Sequence, residues 1–196
     1  MTNQSNTLPT KRAAIFASGN GTNFEALMQA QLPMDVVMLV CDHDNVPVIQ
    51  RAAKFNVPVV LSEVEKGVSK AKRETALLQQ LQAANVDFIL LAGYMRIVGP
   101  TLLQAYPRRI VNIHPALLPS FPGRTGIDDA FAAGVKVTGV TIHFVDAGVD
   151  SGPIIAQEPV RRYDDDELSD LEARIHAVEH KLYPATVRNL IEKGVL

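Results

Sequence analysis

The chain has 196 residues, 47% of them hydrophobic, and a formal net charge of -2, enough for one globular domain with a sizeable core. Neither sign of charge dominates and no Lys/Arg block occurs, which removes the electrostatic basis for binding nucleic acid or an anionic membrane. No apolar run reaches the length of a membrane span and residues 1–10 lack the apolar core of a signal peptide, so a cytoplasmic location is expected; the single cysteine, Cys41, excludes an intramolecular disulfide and a cysteine-rich metal site.

Residues 1–10 are polar and read as a disordered tail, with one domain expected over 11–196. Residues 13–17 are a short apolar run, followed by Ser18-Gly19-Asn20-Gly21-Thr22-Asn23 and a helical stretch over 24–31. Glycines let backbone approach a ligand, and free amides at a helix start attract an anion, so Gly21, Thr22 and Asn23 read as a phosphate cradle; an ordinary strand-to-helix turn is the plainer alternative. Phe24 stands where a dinucleotide fingerprint has its third glycine, and the Lys-Ser/Thr of a triphosphate loop is absent.

A second apolar run, 34–41, leads into Asp42-His43-Asp44-Asn45. Asp42 falls where a nicotinamide-binding fold carries its ribose-binding acid, which keeps that alternative open; His43, flanked by acids, reads as a solvated loop residue. A helix is predicted over 46–55 and a third strand over 57–61, where Pro58 indicates an edge or a strand start. Residues 62–72 read as a charged loop, and 72–84 as a helix with Ala76, Leu77, Leu81 and Ala84 at helical spacing. Lys70, Lys72 and Arg73 form a solvated cluster at its start. Basic residues there oppose the helix dipole, a hint that one of them answers an external anion.

Residues 86–92 are the most continuously apolar strand and should be central. Gly93-Tyr94-Met95-Arg96-Ile97-Val98 follows its carboxyl end, where open parallel sheets bind ligands, although a hydrophobic loop covering the core has the same composition. A short helix over 101–106 precedes a strand over 109–113 that ends at His114. Side chains two apart on a strand share a face, so Asn112 and His114 project together while Val111 and Ile113 pack on the other side. An amide beside an imidazole suits catalysis at a carbonyl, one holding oxygen charge and the other moving a proton; a strand-end pair that only hydrogen-bonds the next turn is the bland reading.

The Pro/Gly-rich segment 117–126 reads as a lid or a surface crossover. A helix over 127–133 closes at Gly134, a strand covers 137–144, and another begins between 152 and 160. His143 reads as a structural histidine, and Asp150 lies in the intervening loop, where spacing alone does not bring it to His114. Asp164-Asp165-Asp166-Glu167 opens the last helix, whose buried stripe is predicted at Leu168, Leu171, Ile175, Val178 and Leu182, with Glu179 beside it as a solvated carboxylate. Alternating strands and helices give the fold class: α/β, a single-domain, mostly parallel twisted sheet of about seven strands with helices on both faces.

Four stretches in order carry a family resemblance: Ser18-Gly19-Asn20-Gly21-Thr22-Asn23, Leu91-Ala92-Gly93-Tyr94-Met95-Arg96-Ile97, Asn112-Ile113-His114-Pro115-Ala116-Leu117-Leu118-Pro119, and Gly139-Val140-Thr141-Ile142-His143-Phe144-Val145 running on to Asp150-Ser151-Gly152-Pro153-Ile154-Ile155. Together they resemble the folate-dependent glycinamide ribonucleotide formyltransferase family of purine synthesis, whose fold has a Rossmann-like amino-terminal half. The resemblance implies Asn112, His114 and Asp150 as the catalytic set, and glycinamide ribonucleotide held by Gly21, Thr22, Asn23 and Glu179. It implies 10-formyltetrahydrofolate as cosubstrate, lying along Lys70, Met95, Arg96, Ile97, Val98 and Asn112, with the loop 145–150 over the pterin and no metal. In the implied reaction a neutral amine attacks the formyl carbon, Asn112 and His114 donate to the oxyanion, and a carboxylate at Asp150 favours the charged imidazole. Formyltetrahydrofolate hydrolase and methionyl-tRNA formyltransferase share this core but normally carry a further domain, which the chain is expected to lack. A non-catalytic nucleotide-binding module using only the loop 19–23 is the remaining alternative.

Overall fold

In the computed structural model, which describes residues 10–64 and 66–196, the apolar runs pair into one seven-stranded sheet. The tail expected over residues 1–10 lies outside the described residues, apart from Thr10. The strands are β1 (Lys11–Ala17), β2 (Met34–Cys41), β3 (Val59–Leu61), β4 (Phe88–Leu91), β5 (Ile110–His114), β6 (Val137–Phe144) and β7 (Ile154–Arg161). Their order is β3-β2-β1-β4-β5-β6-β7. The first five run parallel, while β6 returns antiparallel to β5 and β7 antiparallel to β6. β4 is buried at every position and sits mid-sheet, as a continuous apolar run requires. β3, the short strand after Pro58, is an edge.

Among the described residues six helices cover the sheet: α1 (Thr22–Gln29), α2 (Pro47–Lys54), α3 (Lys70–Ala83), α4 (Pro100–Ala105), α5 (Gly126–Ala132) and α6 (Leu168–Glu192). Phe24, Val48, Ile127 and Leu171 bring α1, α2, α5 and α6 to one core layer, and Leu77, Leu81 and Leu102 bring α3 and α4 to the other. Helices thus lie on both faces. Two helical stripes differ from their predicted form. In α3, Ala76 is exposed and Glu74 is buried in the stripe with Leu77 and Leu81. In α6 the buried line runs through Leu171, Ile175, Glu179, Tyr183, Val187 and Leu190, with Leu168, Val178 and Leu182 only partly buried against it. This helix also starts later than its acidic run, and Asp170 accepts the Glu167 N–H at 2.9 Å across its first turn.

Tyr183 fixes α6 beneath the functional end of the sheet. Its ring is wholly buried, and its hydroxyl donates to the carbonyls of Leu91 (3.1 Å) and Val111 (3.0 Å), on neighbouring strands β4 and β5. Burial holds that phenol well above its ordinary pKa, so it stays a donor. Beyond the strand ends the loops are stitched together as well: Ser18 N–H donates to the Gly93 carbonyl (3.1 Å) and Met95 N–H to Ser18 Oγ (2.8 Å).

Candidate active site

The carboxyl ends of β4 and β5 open into a cleft of about 230 Å³, lined on one side by the segment 93–98 and on the other by the loop 145–150. β5 alternates as its sequence predicts. Val111 and Ile113 join the core layer under α6, whereas Asn112 and His114 line the cleft. Asp150 reaches both of them from the loop between β6 and β7: its Oδ2 lies 3.4 Å from His114 Nδ1, and its Oδ1 accepts from Asn112 Nδ2 at 3.4 Å.

Asp150 is held firmly. Its backbone is left-handed (φ 50°), a conformation Asp tolerates better than most residues, and Oδ2 also accepts the Gly123 N–H at 2.8 Å. Burial is the largest single influence on its carboxyl and pushes the pKa up. The contact with His143, the Gly123 amide and the positive character of His114 and His143 together outweigh it, and the group sits below the usual carboxylate range. His114 is 3% exposed, and its two ring nitrogens face oxygens that only accept, Asp150 Oδ2 at Nδ1 and the Phe121 carbonyl at Nε2 (2.8 Å). A proton on each ring nitrogen would serve both contacts.

His143, read from the sequence as structural, is part of this cluster. Its Nε2 lies 3.1 Å from Asn112 Nδ2 and 3.6 Å from Asp150 Oδ1, while its Nδ1 is 2.9 Å from the Phe144 carbonyl. A carbonyl accepts, so Nδ1 carries a proton, while Nε2 stands between the Asn112 amide and the Asp150 carboxylate. Both amide hydrogens of Asn112 are then turned toward Asp150 and His143, which leaves Oδ1 free for a ligand. The antiparallel register, with Asn112 opposite His143 and His114 opposite Thr141, is what assembles the group. Thr141 in turn pins the segment after His114, donating to the Ala116 carbonyl (2.7 Å) and accepting the Leu118 N–H (3.0 Å).

The wall at 95–98 presents Met95 and Ile97 as exposed apolar side chains, faced by exposed Val149, while Val98 turns into the core. Arg96 does not swing freely: its Nε donates to Asp42 Oδ2 at 2.6 Å. Asp42, fully buried as a side chain, also sits 3.0 Å from His43 Nδ1. It therefore anchors the wall instead of facing a ribose, which removes the basis for a nicotinamide site. Lys70 is exposed at the start of α3 and lies outside the cleft lining.

At the other loop, Gly21 has φ 76°, and a Cβ there would come within 2.4 Å of Val48 Cγ2, so only glycine allows this approach of α2 to the start of α1. Asn23 Nδ2 donates to Glu179 Oε2 at 3.0 Å, and His176 Nδ1 lies 2.9 Å from the same oxygen. Glu179 is thus a buried, doubly contacted carboxylate and not a solvated one. Its hydrogen bond raises the His176 pKa above the ordinary imidazole value. Asn23 Oδ1 is buried without a protein partner among the described residues, an acceptor left for a ligand. Among the described residues no group of three or more His, Cys, Asp or Glu is placed to hold a metal ion.

A profile of known sequences, the formyl transferase family, matches residues 11–187. The chain belongs to the formyl transferase family. This formyl transferase is 47% identical over 185 residues to the phosphoribosylglycinamide formyltransferase of Bacillus subtilis (strain 168), covering 92% of this chain and 95% of that one. It is 40% identical over 187 residues to the enzyme of the same name from Mycobacterium tuberculosis (strain ATCC 25618 / H37Rv), covering 94% and 86%. Its fold superposes on the crystal structure of phosphoribosylglycinamide formyltransferase from Bacillus halodurans with a TM-score of 0.91 and 52% identity, covering 94% of this chain and 97% of that one.

Proposed function

We propose that the protein transfers the formyl group of 10-formyltetrahydrofolate to the amine of glycinamide ribonucleotide, giving formylglycinamide ribonucleotide and tetrahydrofolate in cytoplasmic purine synthesis, with residues 11–196 acting as one catalytic unit. The observation that carries the reading is the convergence of Asn112, His114 and Asp150 on one cleft, in a chain whose relatives across almost its whole length bear that activity's name. The cleft suits the cosubstrate: Met95, Ile97 and Val149 are large apolar side chains left exposed around a narrow space, which a flat heteroaromatic ring would cover. Arg96 lies within that wall and Lys70 at its far end, beside Gly99. The loop 21–23, with Glu179, supports binding of the phosphoribosyl group, its amides for the phosphate and the carboxylate for hydroxyls.

In this reading the resting Asn112 offers Oδ1 to an N–H of the incoming amine. Turning the amide about Cβ–Cγ presents Nδ2 to the oxygen as charge develops there. His114, as the imidazolium, stabilises that charge from a buried position, where such interactions are strongest, and supplies the proton that the departing nitrogen needs. Asp150 orients His114 and balances its positive charge; once the imidazole has given its proton to the departing nitrogen it takes the one the attacking amine loses, so the transfer is proton-neutral. Replacing Asn112 or His114 by Ala is expected to cost on the order of 100-fold or more in turnover, with both substrates still bound. Near-normal turnover in either variant, measured on folded protein, refutes the assignment.

A further inference from the structure

We infer that Glu74, on α3 and outside the cleft, is a positioning residue for the wall 95–98 and through it for the folate; the inference rests on assigning that wall to the folate. Glu74 is 6% exposed. Its Oε1 accepts the Gly99 N–H at 2.6 Å, immediately after the wall, and its Oε2 is buried with no partner among the described residues. A half-satisfied buried carboxylate is costly, and its charge strengthens the one bond it makes to the backbone. The carboxylate lies close against the backbone it holds. A Cβ on Gly99 would lie 2.5 Å from Oε2, 2.8 Å from Oε1 and 2.8 Å from Lys70 Cε.

The other end of the wall is held in the same manner, by Met95 N–H on Ser18 Oγ at 2.8 Å and by Arg96 on the buried Asp42 at 2.6 Å. The wall is thus strung between polar anchors rooted in β1, β2 and α3, none of them a cleft residue, while Met95 and Ile97 stay exposed between them. An apolar surface with so little packing of its own keeps its shape only if its ends are fixed. Fixing them before the ligand arrives lowers the ordering cost of binding. Glu74 therefore acts on folate affinity without touching the folate.

The test compares the wild type with Glu74→Gln, which retains an acceptor, and Glu74→Met, which fills similar space with none. Amide hydrogen exchange over residues 95–99 in ligand-free protein is expected to speed up about 10-fold in Glu74→Met and to stay near wild type in Glu74→Gln, as loss of one hydrogen bond implies. In steady-state assays Glu74→Met should raise KM for 10-formyltetrahydrofolate about 10-fold, leaving kcat and the KM for glycinamide ribonucleotide within about 2-fold, with Glu74→Gln restoring most of the loss. An unchanged folate KM in Glu74→Met, or equal losses for both substrates with no rescue by Gln, overturns the inference. If Glu74→Met does not fold, the wild type decides: a protected Gly99 amide supports the anchor and rapid exchange there overturns it. A wild type that exchanges slowly at 95–99 yet shows no folate saturation refutes the functional reading and leaves the anchor standing.

Discussion

Replacing Asp150 by Asn removes its charge with little disturbance of shape, because Asn adopts the left-handed backbone found there (φ 50°) as readily as Asp. At 3.4 Å from His114 Nδ1, a unit charge pair is worth about 5 kcal/mol in an effective dielectric near 20. The amide dipole and re-entering water return about half of this, so about 2–3 kcal/mol of support for the imidazolium is lost. If that support is spent at the transition state, turnover falls roughly 30- to 150-fold. The assay is initial-rate formyl transfer with both substrates saturating, so that kcat is read rather than binding, on protein shown by circular dichroism to be folded. The retained acceptor for the Gly123 amide keeps the loop in place, and KM for either substrate should move by less than about 3-fold. A variant that turns over within about 3-fold of wild type would show that His114 does not need the charge, and Asp150 would leave the catalytic set.

Three groups of the fold, Asp150 again among them, can be probed in the same way. The folded carboxyl of Asp150 lies below its unfolded value of about 3.9, so its stabilising contribution is complete above that value and drains away as pH falls toward the folded pKa; the gap in urea midpoint between wild type and Asp150→Asn should shrink between pH 6 and pH 3, and a constant gap contradicts the shift. Tyr183→Phe strips the buried donor from the Leu91 and Val111 carbonyls and should cost about 1–3 kcal/mol in denaturant unfolding, with an unchanged midpoint as the contrary result. Gly21→Ala forces a Cβ within 2.4 Å of Val48 Cγ2 at φ 76° and should weaken glycinamide ribonucleotide at least 10-fold by calorimetry while folate binding holds; equal loss of both would mean global damage.

Periodicity carried the strand pattern well, because alternation and apolar runs are local. The face shared by Asn112 and His114, the central place of β4 and the edge place of β3 were all legible there. Charged side chains inside apolar stripes were not. Glu179 and Glu74 occupy buried helical positions that a hydrophobicity pattern assigns to solvent, and each is tolerated through a partner distant in sequence: Asn23 for Glu179 and Gly99 for Glu74. His143 reads from the sequence as a hydrogen-bonded structural histidine, but its partner Asn112 was not legible, because their meeting depends on the antiparallel return of β6, a pairing across 31 residues. Asp150 came from the family resemblance alone, since a residue in an irregular loop has no periodicity to place it. The one usable signal was His143 itself, a titratable side chain near the carboxyl end of a buried strand.

The reaction proposed is transfer to a specific acceptor. Incubating the protein with 10-formyltetrahydrofolate, and following loss of the formyl group with and without glycinamide ribonucleotide, tests it directly. Transfer predicts loss only when the ribonucleotide is present, matched by formylglycinamide ribonucleotide in equal amount. Loss without the ribonucleotide would mean hydrolysis, and no loss in either case would mean a binding module; either result contradicts it.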